Sequence, residues 1–258
     1  MEILQLDVGG KLAHFRKYYA NNTAMSFSIP PRTTVIGMIA SILGRKRDSY
    51  YEELASERIR ISVRVMSPIK KTFHRLNFLS IKSKSDFDGS GGRIQTPFEV
   101  VSGYDISKDM VVYRLYVSCS EEGKDTFEEL KEKVLQQKQH FALTLGTANF
   151  TASLMTIRLF EANEIQEIEA NGLVTIHSSV PSEAVERIDF DKNGVEDSLQ
   201  MIEEELLPAD FVRNYDRELR KMNRTLFSTS PTGMRLELNR SHYQLTNAEE
   251  VQNILFLE

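Results

Sequence analysis

Residues 30–44 read PPRTTVIGMIASILG, and the fold class turns on them. Two prolines stop any extended chain before them, Thr33 or Thr34 can cap a helix, and a run of small and apolar residues then leads to Gly44, a suitable C-cap. The stretch predicts a buried helix. Upstream, Ile3, Gln5 and Asp7 alternate with Leu4, Leu6 and Val8 before Gly9-Gly10, which is the period of two of a strand. Downstream, Ile59, Ile61, Val63 and Val65 alternate with Arg58, Arg60, Ser62 and Arg64, predicting a half-buried strand with one apolar and one cationic face. The product is a β-α-β unit, with a second short helix expected at residues 49–56.

Further along, MVVYRLYVSC (110–119) reads as a strand and TFEELKEKVLQQKQ (126–139) sets Phe127, Leu130, Val134 and Leu135 at helical spacing. Strands are expected at 141–145 and 154–160. The order β-α-β, insert, β-α-β is the ferredoxin-like, RRM-type split βαβ arrangement, an α+β fold. The insert, residues 69–109, is at about forty residues too long for a passive connector. Within it SIKSKSDFDGSGGRIQTP marks a mobile loop or hairpin tip. After residue 160 the chain turns acidic, with NEIQEIEANG, IDFDKNGVED and the run Glu203, Glu204, Glu205. A strand at 173–177, a strand pair around the turn Ser230-Pro231-Thr232-Gly233 and a last apolar run, ILFL, predict a β-rich extension (161–258) packed on the first unit (1–160).

The 258 residues are 41% hydrophobic and 27% charged, an ordinary globular composition. No stretch reaches the roughly 18 apolar residues of a membrane helix, and MEILQLDVGG carries acids where a secretory signal carries bases. A cytoplasmic protein with no membrane partner is expected. Cys119 is the single cysteine and the five histidines form no ligand pair, so neither a metal nor another cofactor is expected. The net charge of −5 is unevenly spread: residues 1–93 hold sixteen Lys and Arg against eight Asp and Glu, a net +8, leaving −13 for the rest. Such a chain either offers a polyanion one basic surface or simply solvates its charges.

Segment 11–28, KLAHFRKYYANNTAMSFS, interleaves Lys11, His14, Arg16 and Lys17 with Phe15, Tyr18 and Tyr19. Cations for phosphates and ring faces for splayed bases are what single-stranded RNA requires. The alternative is that Phe15 and one tyrosine pack beneath the loop. Arg32, Thr33 and Thr34 open the helix, where free N–H groups hold a phosphate, or a threonine merely caps. Arg45, Lys46 and Arg47 follow it, either as phosphate ligands or as complements of the helix dipole. Lys82, Lys84 and Arg93 surround the Gly/Ser-rich tip, as RNA ligands or as solvated charges. Residues 145–149, LGTAN, allow a close backbone approach or a simple turn.

The stretches GKLAHFRK (10–17), SIPPRTTVIGM (28–38) and LGRKRDSYY (43–51) resemble the Cas-five group of the RAMP superfamily of CRISPR-associated proteins. RIQTPFE (93–99), YRLYV (113–117) and LGTANF (145–150) extend the likeness. The resemblance implies an RRM-like core with a protruding thumb hairpin, and a non-catalytic subunit that caps the 5′ handle of the CRISPR RNA in a type I, I-B-like surveillance complex (Cascade). Its partners would be that RNA and the backbone and large subunits, in antiviral defence. One branch of the family instead cuts the RNA precursor without metal, using tyrosine, lysine and histidine. For that activity His14, Tyr18, Lys70 and His74 are the candidates here. A mainly structural adaptor is the third reading. His140, His177 and His242 lie in or beside apolar segments and read as structural.

Overall fold

The alternating residues 3–8 and 59–65 become strands of one antiparallel sheet, and the helix between them lies against it. The computed structural model describes residues 1–20, 23–190, 201–212, 217–248 and 250–258. Its first part comprises β1 (Ile3–Gly10), β2 (Leu12–Ala13), β3 (Phe15–Arg16), β4 (Ser26–Phe27), α1 (Arg32–Leu43), β5 (Ile59–Val65), β6 (Ile69–Leu79), β7 (Arg93–Gly103), β8 (Val111–Cys119), α2 (Lys124–Leu135), β9 (Leu143–Thr144) and β10 (Thr151–Phe160). The main sheet has the order β5-β8-β1-β10-β9, and every neighbouring pair is antiparallel. Leu4, Leu6 and Val8 of β1 join Val35, Ile39 and Leu43 of α1 and Phe127, Leu130 and Val134 of α2 in the main core. The expected α+β class holds.

The sheet's other face is covered too. The second part comprises β11 (Ile165–Ile168), β12 (Leu173–Ile176), β13 (Val180–Pro181), β14 (Val185–Ile188), β15 (Ile202–Phe211), β16 (Leu219–Ser228), β17 (Met234–Leu238), β18 (His242–Thr246) and β19 (Val251–Ile254). These form three small sheets, β11-β18-β19, β12-β17-β14 and β13-β16-β15. Leu245, Ile254 and Phe256 pack on Ile3, Tyr116 and Phe160 from the main sheet. The face of β5 expected to be cationic is therefore buried at Ser62 and Arg64, while Arg58 and Arg60 stay partly exposed: Arg64 donates to Glu250, Gln252 and the Pro231 carbonyl, and Ser62 to the Ser179 carbonyl. Alternation revealed two faces but not what covers the second.

Two further expectations fail for local reasons. Residues 49–56 form turns, because the Ser49 hydroxyl donates back to the Lys46 carbonyl and Asp48 holds a positive φ of 62° beside the Tyr51 hydroxyl. The strands flanking residues 230–233 do not pair with each other. β16 joins β15 and β17 joins β12 and β14, while the connection is pinned elsewhere, Thr229 accepting from the Ile69 N–H and Pro231 from Arg64. α1 ends as expected at Gly44, at φ 77°, but Pro31 is its N-cap and no side chain caps it. No helix among the described residues is long and apolar enough to cross a membrane.

The insert is an ordered ladder. β6 and β7, eleven residues each, pair from Ile69↔Gly103 to Leu79↔Arg93 without a register shift. β2 pairs with the base of β7, whereas residues 73–79 of β6 are exposed. Residues 80–92 close the tip through a short 3-10 turn at Lys84–Asp88, capped reciprocally by Ser83 and Asp86. Because the tip buries almost no apolar surface, replacing residues 80–92 by Asn-Gly should leave the unfolding free energy within about 0.5 kcal/mol of wild type. Urea unfolding checks this, and a loss of several kcal/mol would place the tip in the core.

Candidate nucleic-acid interface

Segment 11–19 divides residue by residue between surface and interior. His14 is buried: its Nδ1 donates to the Glu99 carbonyl at 2.7 Å, and its ring stacks on Phe98 at 4.0 Å. Phe15 lies in the core, edge-on to Tyr113. Lys17 is also buried, and its ammonium meets the Glu205 carboxylate at 2.5 Å over the Phe27 ring. Lys11 is exposed and donates to the Ser107 and Asp109 carbonyls. Arg16 donates to the Ala20 carbonyl, and Tyr18 and Tyr19 are half exposed beside it. Strand alternation separates Phe15 from Arg16, since the pairs Phe15↔Phe27 and Arg16↔Ser26 turn neighbours to opposite sides, whereas His14 lies between β2 and β3 and is drawn inward by Glu99 and Phe98. His14, Phe15 and Lys17 are thus parts of the interior, and Arg16, Tyr18 and Tyr19 are what segment 11–19 shows to solvent beside Lys11.

Arg32 is the largest correction. It is 1% exposed, and its guanidinium donates to Asp210 at 2.7 Å, to Glu258 at 2.6 Å and to the carbonyls of Ala209, Leu54 and Ile59. No donor is left for a phosphate. Thr33 and Thr34 remain partly exposed on the first turn of α1. Arg45 is held by Glu53 and Glu129, Arg47 reaches Asp48, and Lys46 is exposed. Arg32→Ala would strand two buried carboxylates, so it should cost about 3–5 kcal/mol in urea unfolding. The exposed Arg47→Ala should change stability by no more than about 0.5 kcal/mol.

The hairpin keeps its charges free. Lys82, Lys84 and Arg93 are exposed, and so is Arg75 on β6, which the sequence reading missed. Among the described residues none of the four has an ion-pair partner. The missed signal was the stretch 69–82, IKKTFHRLNFLSIK, which contains no acid. The same hairpin presents Phe78 and Ile94, paired in register and half exposed, next to Phe98, which Phe150 meets edge-on. The hairpin therefore exposes both cations and a ring, with Arg75 and Arg93 on the face opposite Phe78, in addition to the Arg16, Tyr18 and Tyr19 of segment 11–28.

The profile of the family described as CRISPR-associated protein (Cas_Cas5) matches residues 3–237. The chain belongs to this Cas5 family. Among solved structures it is similar to a CRISPR protein from Archaeoglobus fulgidus, at 16% identity and a TM-score of 0.56 over 98% of both chains. It is also similar to a chain of a CRISPR RNA-guided surveillance complex, at 13% identity and a TM-score of 0.51, over 90% of this chain and 91% of that one. At these identities the likeness is one of fold. No curated protein sequence matches the chain significantly.

The nuclease candidates of this Cas5 chain do not form one constellation. His14 and His74 both adjoin Phe98, the first by stacking and the second as its register partner. Tyr18, however, donates to the Met222 sulfur, and Lys70 to the Tyr104 carbonyl at 2.6 Å. Burial lowers the pKa of His14, and likewise of His177 and His242. The unfolded chain therefore takes up protons that the fold refuses once pH falls through the unfolded value, near 6.5. Stability is fully present above that pH and is lost below it, by at most about 1.4 kcal/mol per pH unit for each histidine. Urea unfolding from pH 7.5 to 5 should show this slope, and His14→Asn should reduce it.

Proposed function

We propose that this Cas5-family chain is an RNA-binding subunit of a type I CRISPR surveillance complex, and that it caps the 5′ handle of the CRISPR RNA. On this reading the strand order β5-β8-β1-β10 is that of a ferredoxin-like RAMP core, and the β6–β7 hairpin is its thumb. The observation that carries it is the concentration of unpaired cations, Arg75, Lys82, Lys84 and Arg93, on a protruding hairpin that also exposes Phe78 and Ile94. Guanidinium and ammonium groups meet phosphates, and ring faces accept unstacked bases. The solved surveillance-complex chain of the same fold supports an assembled role, with backbone and large subunits as neighbours.

The RNA contact is electrostatic in part, so it has a measurable salt dependence. Single-stranded handle RNA should bind better than duplex DNA, with log affinity falling linearly against log salt by about 0.7 per phosphate contact. Changing Arg75, Lys82, Lys84 and Arg93 together to Ala should weaken binding and flatten that slope by roughly 2 to 3. Arg47→Ala, whose guanidinium meets Asp48 outside the hairpin, should leave both unchanged. Equal, salt-insensitive binding to RNA and duplex DNA would overturn the reading.

A further inference from the structure

The protein closes one sheet edge and leaves another open. β5 is an outer strand of the main sheet, and its free groups are taken: Ile61 accepts from the Leu257 N–H and donates to the Glu258 carboxylate, and Val63 accepts from the Ser179 N–H. β6 is the outer strand of the sheet β2-β7-β6, and among the described residues no strand flanks its far side. The direction of its backbone groups follows from its two ends. Ile69 donates its N–H away from the hairpin, to Thr229, whereas the Ser80 N–H points across the hairpin to Gly92. With no register shift between them, odd-numbered residues face outward, so Phe73, Arg75, Asn77 and Leu79 present unpaired N–H and C=O groups.

We propose that this edge receives a strand from another protein, a β-augmentation in which the added strand is apolar on one face and sets a carboxylate opposite Arg75 on the other. Natural edges are usually blunted by a bulge, a proline, a charge or a covering loop, and of these β6 from residue 72 to 79 has only the single charge of Arg75. Charge sets the partner's chemistry. Residues 69–82 carry Lys70, Lys71, Arg75 and Lys82 and no acid. A second copy pairing about a two-fold axis would bring like charges together, so the edge disfavours itself. On one face the incoming strand meets Leu76 and Phe78, which call for apolar side chains. On the other it meets Arg75, which calls for a carboxylate, between the exposed Phe73 and Leu79.

This inference does not rest on the RNA reading, because RNA has no backbone donors and acceptors at strand spacing. The test reads amide exchange by NMR on the whole protein with a millimolar octapeptide alternating Val and Glu. The amides of Phe73, Arg75, Asn77 and Leu79 should slow about tenfold, while those of Thr72, His74, Leu76 and Phe78, already bonded to β7, should not change. A fully N-methylated peptide should protect nothing, and Arg75→Glu should shift preference to a Val/Lys octapeptide. The proposal fails if the Val/Glu peptide leaves the odd amides unchanged, if the N-methylated peptide protects them equally, or if only an oligouridine protects them.

Discussion

Arg32 joins three parts of the chain that are remote in sequence. Its guanidinium reaches the turn after α1 and the start of β5 through the carbonyls of Leu54 and Ile59, β15 through Asp210, and the segment after β19 through Glu258. Burial alone raises the Glu258 pKa, and the neighbouring guanidinium works against that rise. Asp210 also accepts from the Ser56 hydroxyl and amide, and Glu258 from the Ile61 amide, so both carboxylates have several donors. A buried pair adds little over an apolar replacement of equal shape, but losing one member leaves charges with no solvent. The helix start, the edge strand and the second layer therefore stand or fall together.

The same pairing explains where the sequence was legible. The period of two in residues 3–8 and 59–65 and the helical period in 126–139 identify core-facing residues, because apolar spacing reports one buried face directly. The basic bias of residues 1–93 is a sum, and a sum does not say which charges meet. Lys17 meets Glu205, Lys71 approaches Glu203, Arg64 meets Glu250 and Arg32 meets Asp210, so much of the acidic second part neutralises the basic first part from within. The run Glu203 to Glu205, which looks solvated in sequence, is a strand lying beside segment 11–28. Long-range ion pairs have no local signature, and that is why Arg32 and Lys17 read as ligands.

One face of the main sheet carries α1 and α2. The second face is closed by Leu245, Ile254 and Phe256, and by the Arg114 guanidinium, which is held by Asp7 and touches Gln252. Among the described residues, one element projects beyond these two layers. The hairpin is that element, and its eleven paired residues per strand hold its exposed charges on a rigid support.

Arg32 and Glu258 are 226 positions apart. A nascent chain emerges with α1 and β5 long before the residues that satisfy them. Until then β5 offers an open edge and Arg32 a bare buried charge, the conditions under which partly folded chains associate with one another. Contacts of such high sequence separation also slow folding, since the loop must close before the contact rewards it. Truncation before residue 255 removes the Leu257 amide and the Glu258 carboxylate that close the β5 edge, so the shortened chain should be prone to aggregate.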